Sequence, residues 1–240
     1  MVTQRFRNQV VLVAGGTGGL GKAVVRAFLE EGAQVAALAR SQEKLNALAA
    51  ELESFADRLD CRSVDLTQEE PTRSAVQAVH RRFGRIDGLV NAVGGYFGGV
   101  PIAEMTLEQW DSMQRINVRT VLNTVRATLP YLQAGGGGFI VNVGSRAGLG
   151  GIAGMGAYCA AKAAVKVITE ALAAEMLDAG IRVNCVLPSI IDTPENRRAM
   201  PKADFSRWVQ PEEIARTILF LASGEASAIS GASIPVYGRA

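Results

Sequence analysis

The sequence predicts an α/β protein whose parallel sheet of about seven strands is covered by helices on both faces, a doubly wound architecture in a single domain. Three observations predict it. Short apolar runs alternate with longer amphipathic ones along the 240 residues. Each short run is nearly continuous in apolar residues, as strands buried on both faces are. No repeat or low-complexity linker divides the chain, and 48% hydrophobic content is ample for a core.

The elements follow in order. NQVVLVAG (8–15) reads as the first strand and GKAVVRAFLEEG (21–32) as the helix after it. AQVAALAR (33–40), SQEKLNALAAELESFAD (41–57), CRSVDL (61–66) and QEEPTRSAVQAVHRRFG (68–84) continue the alternation, and RIDGLVNAVG (85–94) carries the fourth strand. One long helix is expected over 107–133, then a strand in GGFIVNVGS (137–145), a helix over 157–177 and a strand in IRVNCVLP (181–188). A helix near 211–223 and a strand near 232–236 complete the set. The interval 189–210 has no clear strand or helix and is expected to be a substrate-binding loop or lid.

Composition narrows the function. The 25 basic and 23 acidic residues leave a formal charge of +2, and the basic residues are scattered, so no nucleic-acid footprint is expected. The N-terminal MVTQRFRNQV has no apolar run long enough for a signal peptide or membrane span, and a cytoplasmic protein with no membrane partner is expected. Cys61, Cys159 and Cys185 form no CxxC pair, which argues against both a disulfide framework and a metal site. His80 is the only histidine and sits beside two arginines at an expected helix end, a place for a solvated or dipole-facing ring rather than a catalytic one.

The turn AGGTGGLG (14–21) joins the first strand to the first helix. Glycines there allow a tight turn and close approach to a pyrophosphate, which the unpaired amides of a helix N-terminus favour. Gly16, Gly18 and Gly21 satisfy GxGxxG, and Gly15, Gly19 and Gly21 satisfy GxxxGxG, so the spacing is ambiguous. The second strand ends in Arg40, with no Asp or Glu between Gly32 and Glu43. A guanidinium matches a ribose 2′-phosphate, whereas NAD sites usually offer a carboxylate, so NADP is the expected cofactor and NAD the alternative. A solvated arginine at a strand end is the plainer reading. Asp65, after the third strand, is placed to accept from an adenine amine, although a turn-forming aspartate looks the same.

In GAYCAAKAA (156–164), Tyr158 and Lys162 stand four positions apart and share one helix face. An ammonium close to a phenol, together with the positive charge of an oxidised nicotinamide, favours the phenolate and makes the pair a proton donor and acceptor. Ser145, thirteen residues before Tyr158, can bond a carbonyl oxygen, and Asn117 can hold a water near Lys162.

With these residues in order, the chain resembles the short-chain dehydrogenase/reductase family, of the single-domain Tyr-x-x-x-Lys type, over essentially its whole length. The carrying features are Gly15, Gly19 and Gly21, Asp65, NAVG (91–94), Asn117, Ser145, Tyr158, Lys162 and the NCVLP turn (184–188). The resemblance implies a Rossmann fold and a catalytic set of Asn117, Ser145, Tyr158 and Lys162. It implies cofactor contacts from Gly15, Thr17, Gly18, Gly19, Leu20, Gly21, Asp65, Leu66, Asn91, Ala92, Val93, Pro188, Ile191 and Thr193, with Lys162 holding the nicotinamide ribose and 189–193 the carboxamide. The usual NNAG reads NAVG here, which leaves Asn91 as the ribose-facing amide. By analogy, GGYFGGVP (94–101), 146–157 and 189–210 form a substrate pocket. Tyr96, Phe97, Leu149, Ile152, Met155 and Trp208 would line it for an apolar or aromatic carbonyl or secondary alcohol. The helices bearing Asn117 and Tyr158 have wide apolar faces, and relatives use them to assemble, so a homotetramer or homodimer is expected. The alternatives are an NAD-preferring dehydrogenase of the same fold and a non-catalytic dinucleotide-binding sensor or scaffold.

Overall fold

The computed structural model describes residues 4–239. Seven parallel strands form one sheet in the order β3-β2-β1-β4-β5-β6-β7. These are β1 (Val10–Ala14), β2 (Gln34–Ala39), β3 (Leu59–Ser63), β4 (Gly88–Asn91), β5 (Gly138–Val143), β6 (Ile181–Pro188) and β7 (Ser233–Val236). The helices are α1 (Gly19–Glu30), α2 (Gln42–Glu51), α3 (Glu69–Phe83), α4 (Leu107–Gln114), α5 (Thr120–Ala134), α6 (Gly156–Glu175), α7 (Pro194–Ala199) and α8 (Pro211–Ala222).

Successive strand residues point to opposite faces, so β1 feeds two cores. Val11 and Val13 pack with Val24, Val25 and Phe28 of α1 and with Ile214 and Ile218 of α8. Val10, Leu12 and Ala14 pack with Val76 and Val79 of α3, Val121 and Val125 of α5, and Val165 and Leu172 of α6. Burying each such aliphatic side chain contributes roughly 1.5–3 kcal/mol. The order reverses between β1 and β4, and the crevice outside the carboxyl ends of strands at such a switch point is where doubly wound sheets bind ligands.

Several predicted boundaries differ, among them the second helix, which ends at Glu51 and gives way to a 3₁₀ stretch at Glu53–Arg58. The third strand runs over Leu59–Ser63, and Asp65, two residues past its end, accepts hydrogen bonds from its own turn, from Thr67 N at 3.0 Å and Thr67 Oγ1 at 2.8 Å. The long helix over 107–133 is broken by a π-helical turn at Arg115–Arg119, which turns Asn117 inward to full burial. Such widened turns are frequent at functional sites. The interval 189–210 is more ordered than expected, with a parallel bridge between Ile191 and Val209, the short helix α7 and a 3₁₀ turn at Phe205–Arg207.

Candidate active site

The glycine turn is packed tightly at some of its positions and not at others. A methyl group at Gly15, whose φ is +84°, would lie 2.9 Å from the Ala92 carbonyl carbon and the Val93 nitrogen. One at Gly21 would lie 2.0 Å from Gly15 O, and one at Gly19 2.6 Å from Thr193 Cγ2. Gly18 has room, its nearest neighbour being 3.5 Å away. The spacing Gly15, Gly19, Gly21 is therefore the one that packing demands, and Gly16 is crowded as well, by Ala37 Cβ at 2.8 Å. The turn thus sits against the exit of β4 and against Thr193 in the segment after β6. Gly18 caps α1 without a side-chain bond, which leaves the helix's first amides to other acceptors. Thr17 lies on this turn half-buried, and Leu20 is buried beneath it.

Arg40 is exposed at the carboxyl end of β2. Its backbone oxygen accepts from Ser63 Oγ at 2.9 Å, while its guanidinium has no ion-pair partner among the described residues. Asp65 is exposed nearby at the end of the neighbouring strand, and Leu66 behind it is buried, its carbonyl held by Asn123 Nδ2 at 2.9 Å.

The side chain of Asn91 does not face a ribose. It is buried, donating to Asn142 Oδ1 at 2.9 Å and accepting from Thr124 Oγ1 at 2.7 Å, while Asn142 donates in turn to Thr169 Oγ1 at 2.9 Å. The two asparagines occupy one register position of β4 and β5, where a polar side chain must find a polar neighbour. Only the backbone of Asn91, Ala92 and Val93 can serve a ligand in the crevice. The signal for this network was present: asparagines at matching places in two otherwise apolar strands.

Asn117 clips the next segment in place. Its Nδ2 donates to Gly95 O at 3.0 Å and Met113 O at 3.1 Å, and its Oδ1 accepts from Gly95 N at 3.2 Å. Both amide hydrogens are committed, so the expected water could be held only through oxygen. A methyl at Gly94 would lie 3.1 Å from Asn117 Oδ1 and 3.2 Å from Lys162 Nζ, so these two polar atoms converge on one point.

Tyr158 and Lys162 project from the first two turns of α6. The small residues between them have a packing reason: buried Ala157 and Ala161 let Met113 and Ile116 approach, and the 3₁₀ turn at Arg146–Leu149 presses Gly148 onto the Lys162 carbonyl. Lys162 is buried and donates to Val143 O at 3.0 Å. Burial lowers its pKa to about 8. Ser145, just past β5, accepts from Ala147 N at 3.1 Å and hydrogen-bonds the Tyr158 phenol.

The expectation that Lys162 pulls the phenol pKa down is not met in this geometry. Burial is the largest influence on Tyr158 and raises its pKa; the Ser145 hydrogen bond opposes it, and the nearby Cys159 and Tyr96 raise it further. The lysine is turned toward Val143 rather than toward the phenol.

Around this set, Tyr96 is exposed and stands edge-on to Tyr158, with ring centroids 5.2 Å apart. Leu149 and Ile152 are exposed as well, and Phe97 packs on Met113 and Ala157. Trp208 does not join them. It is buried against Phe205, centroids 4.8 Å apart, and is a packing residue of the 189–210 segment. Pro188 is buried at the end of β6, Ile191 is half-buried, and Thr193 is buried and caps α7 through a 3.2 Å bond from Asn196 N. His80, in the last turn of α3, stacks on Tyr131 of α5, centroids 4.6 Å apart.

The family sequence model described as short chain dehydrogenase matches residues 9–204. The chain belongs to that family. It is 35% identical to a 3-oxoacyl-(acyl-carrier-protein) reductase of Thermotoga maritima, covering 98% of each chain. It is 34% identical to a meso-2,3-butanediol dehydrogenase of Serratia marcescens, covering 98% of this chain and 96% of that one. The solved structure of a short-chain type dehydrogenase/reductase from Mycobacterium ulcerans superposes with a TM-score of 0.92 at 30% identity, covering 97% of this chain and 90% of that one. This short-chain dehydrogenase is a hydride-transfer oxidoreductase, and the family's cofactors are nicotinamide dinucleotides. The crevice fits such a cofactor: a glycine cradle that side chains would fill, uncapped amides of α1, and a buried ammonium with N–H groups left over beyond its bond to Val143. Among the described residues no helix is long and apolar enough to cross a membrane, and no group of His, Cys, Asp and Glu could hold a metal ion.

Proposed function

We propose that the chain is an NADP(H)-dependent carbonyl reductase or secondary-alcohol dehydrogenase acting on an apolar or aromatic substrate. The convergence of Ser145, Tyr158, Lys162 and Asn117 at the carboxyl edge of the sheet, beside the glycine turn, is the observation that carries this reading.

When bound, the nicotinamide supplies or accepts the hydride. The protein supplies the rest. The Tyr158 hydroxyl gives its proton to the substrate oxygen in reduction and takes it back in oxidation. At neutral pH a phenol held above its ordinary pKa is a stable acid, which suits the reductive direction. Ser145 holds the same oxygen from the side. Lys162, with a pKa of about 8, is mainly charged at pH 7, and its remaining N–H groups would bind the ribose hydroxyls. Asn117 fixes Gly94 and Gly95 beneath the site, and its second oxygen lone pair is open to a water. Gly15, Gly19 and Gly21 would let the pyrophosphate approach the amides of α1, with Thr17, Gly18 and Leu20 on the same turn. Asp65 and Leu66 would border the adenine, Ala92 and Val93 would offer backbone to the ribose, and Pro188, Ile191 and Thr193 would flank the carboxamide.

The unpaired guanidinium of Arg40 and the absence of a carboxylate at the end of β2 support NADP over NAD. The exposed Tyr96, Leu149 and Ile152 at the mouth support an apolar substrate group, and relatives named for a 2,3-butanediol and a 3-oxoacyl compound support the CH–OH and C=O class. Exposed Trp110 on α4, Leu122 on α5 and Val167 on α6 support assembly into a dimer or tetramer through these helices. Three free thiols fit a reducing cytoplasm. A panel of ketones and aldehydes with NADPH and with NADH, followed at the nicotinamide absorbance, tests the reading. Turnover of apolar ketones with NADPH is expected, and cofactor binding with no turnover across the panel would favour a sensor or scaffold.

A further inference from the structure

The segment after β6 leaves the sheet and returns over one small cluster built on a buried carboxylate. Asp192 is buried, and both of its oxygens are engaged. Arg197 Nε donates to Oδ1 at 2.5 Å and Arg197 Nη2 to Oδ2 at 2.7 Å, and Gln210 Nε2 donates to Oδ2 at 2.9 Å. The three residues come from the outgoing limb, α7 and the residue capping α8. The Arg197 guanidinium also lies over the Phe205 ring, 4.8 Å from its centroid.

The backbone around the cluster is tied in the same sense. Asp192 N donates to Val209 O at 2.8 Å, Val209 N to Ile190 O at 3.1 Å, and Asn196 Nδ2 to Ile191 O at 2.8 Å. Next in the chain is Thr193, whose methyl group fills the space over Gly19 in the glycine turn. A bidentate arginine–carboxylate pair is geometrically demanding. Here it fixes α7 relative to both limbs of the loop and thereby fixes Thr193.

We propose that Asp192 is a positioning residue: through Arg197 and Gln210 it latches residues 193–208 as a closed flap and holds Thr193 against the glycine turn. The consequence for catalysis rests on the dinucleotide site proposed above, whereas the latch itself does not. A flap closed only part of the time lowers apparent ligand affinity by the closed fraction.

The test is limited trypsin digestion of the full chain without cofactor, with the cuts mapped by mass. Arg198, Lys202 and Arg207 are exposed cleavage sites inside the flap. Asp192→Ala should raise cleavage at these bonds at least fivefold over wild type, while cuts outside the flap keep their rate. Arg197→Gln, which alters a half-exposed side chain, should do the same, and Arg197→Lys, which keeps the charge but not the two-pronged fork, should restore only part of the protection. In steady-state assays both opening variants should raise the KM for the dinucleotide at least threefold, by a larger factor than kcat falls. Flap cleavage within twofold of wild type in Arg197→Gln would overturn the latch, whether or not Asp192→Ala folds. Faster cleavage with an unchanged dinucleotide KM would overturn the coupling through Thr193.

Discussion

The ammonium of Lys162 lies inside the protein, donating to the carbonyl oxygen of Val143 at 3.0 Å. It belongs to the one buried lysine among the described residues. The pair sets two properties at once: it commits one N–H group and leaves the others for a ligand, and it keeps a charge where burial opposes it.

That opposition predicts a pH dependence of stability. Burial lowers the folded pKa of Lys162 to about 8 from 10.5. Between these values the unfolded chain holds a proton that the folded chain has released, so stability rises with pH across the window. Burial also raises the pKa of Cys185, from 9.0 to about 11, and that acts in the opposite sense above pH 9. The clean interval is therefore below 9. Urea unfolding of wild type and Lys162→Met at pH 7.5 and 9 should show wild type gaining about 1 kcal/mol relative to the variant. A pH-independent difference would show that Lys162 is not a buried charge.

Arg40 predicts the cofactor. A lost charge-assisted hydrogen bond is worth about 1.5–3 kcal/mol, so NADPH should bind about tenfold or more tightly than NADH. Arg40→Asp should reverse the order. Fluorescence titrations of both cofactors on both proteins decide it, and equal curves for the wild type would contradict the assignment.

The exposed apolar side chains on α4, α5 and α6 predict assembly. Light scattering at micromolar protein should give the mass of a tetramer, or at least of a dimer, and Val167→Glu should lower it. A monomer mass for the wild type would contradict this.

Much of the fold was legible because β1, β2, β4, β5 and β6 are buried on both faces and so are apolar along most of their length. The glycine turn was legible because close packing needs glycines at fixed spacing, and the shared helix of Tyr158 and Lys162 because residues four apart stack on one face. What escaped depended on contacts between distant segments. Nothing local to 107–133 marks the π turn that buries Asn117. Trp208 looked like a pocket wall because its partner Phe205 lay in a stretch with no periodicity. The inward turn of Lys162 toward Val143, which leaves the phenol governed by burial and Ser145, depends on where β5 ends beside α6. The role of Asp192 required Arg197 and Gln210 to meet over it.

The most direct test of the central claim is the turnover of Tyr158→Phe, measured beside its cofactor affinity. The ring of Phe packs as the tyrosine ring does but carries no proton, and Lys162 keeps its place. General acid–base groups contribute a factor of about 10² to 10⁴, so kcat should fall by at least that order while the Kd for NADPH stays within about twofold of wild type. Lys162→Met should lose both turnover and cofactor affinity, since it removes the charge and the ribose donors together. Retention of a third or more of wild-type kcat by Tyr158→Phe, on any substrate the parent reduces, would contradict the account and leave the pair in GAYCAAK as packing.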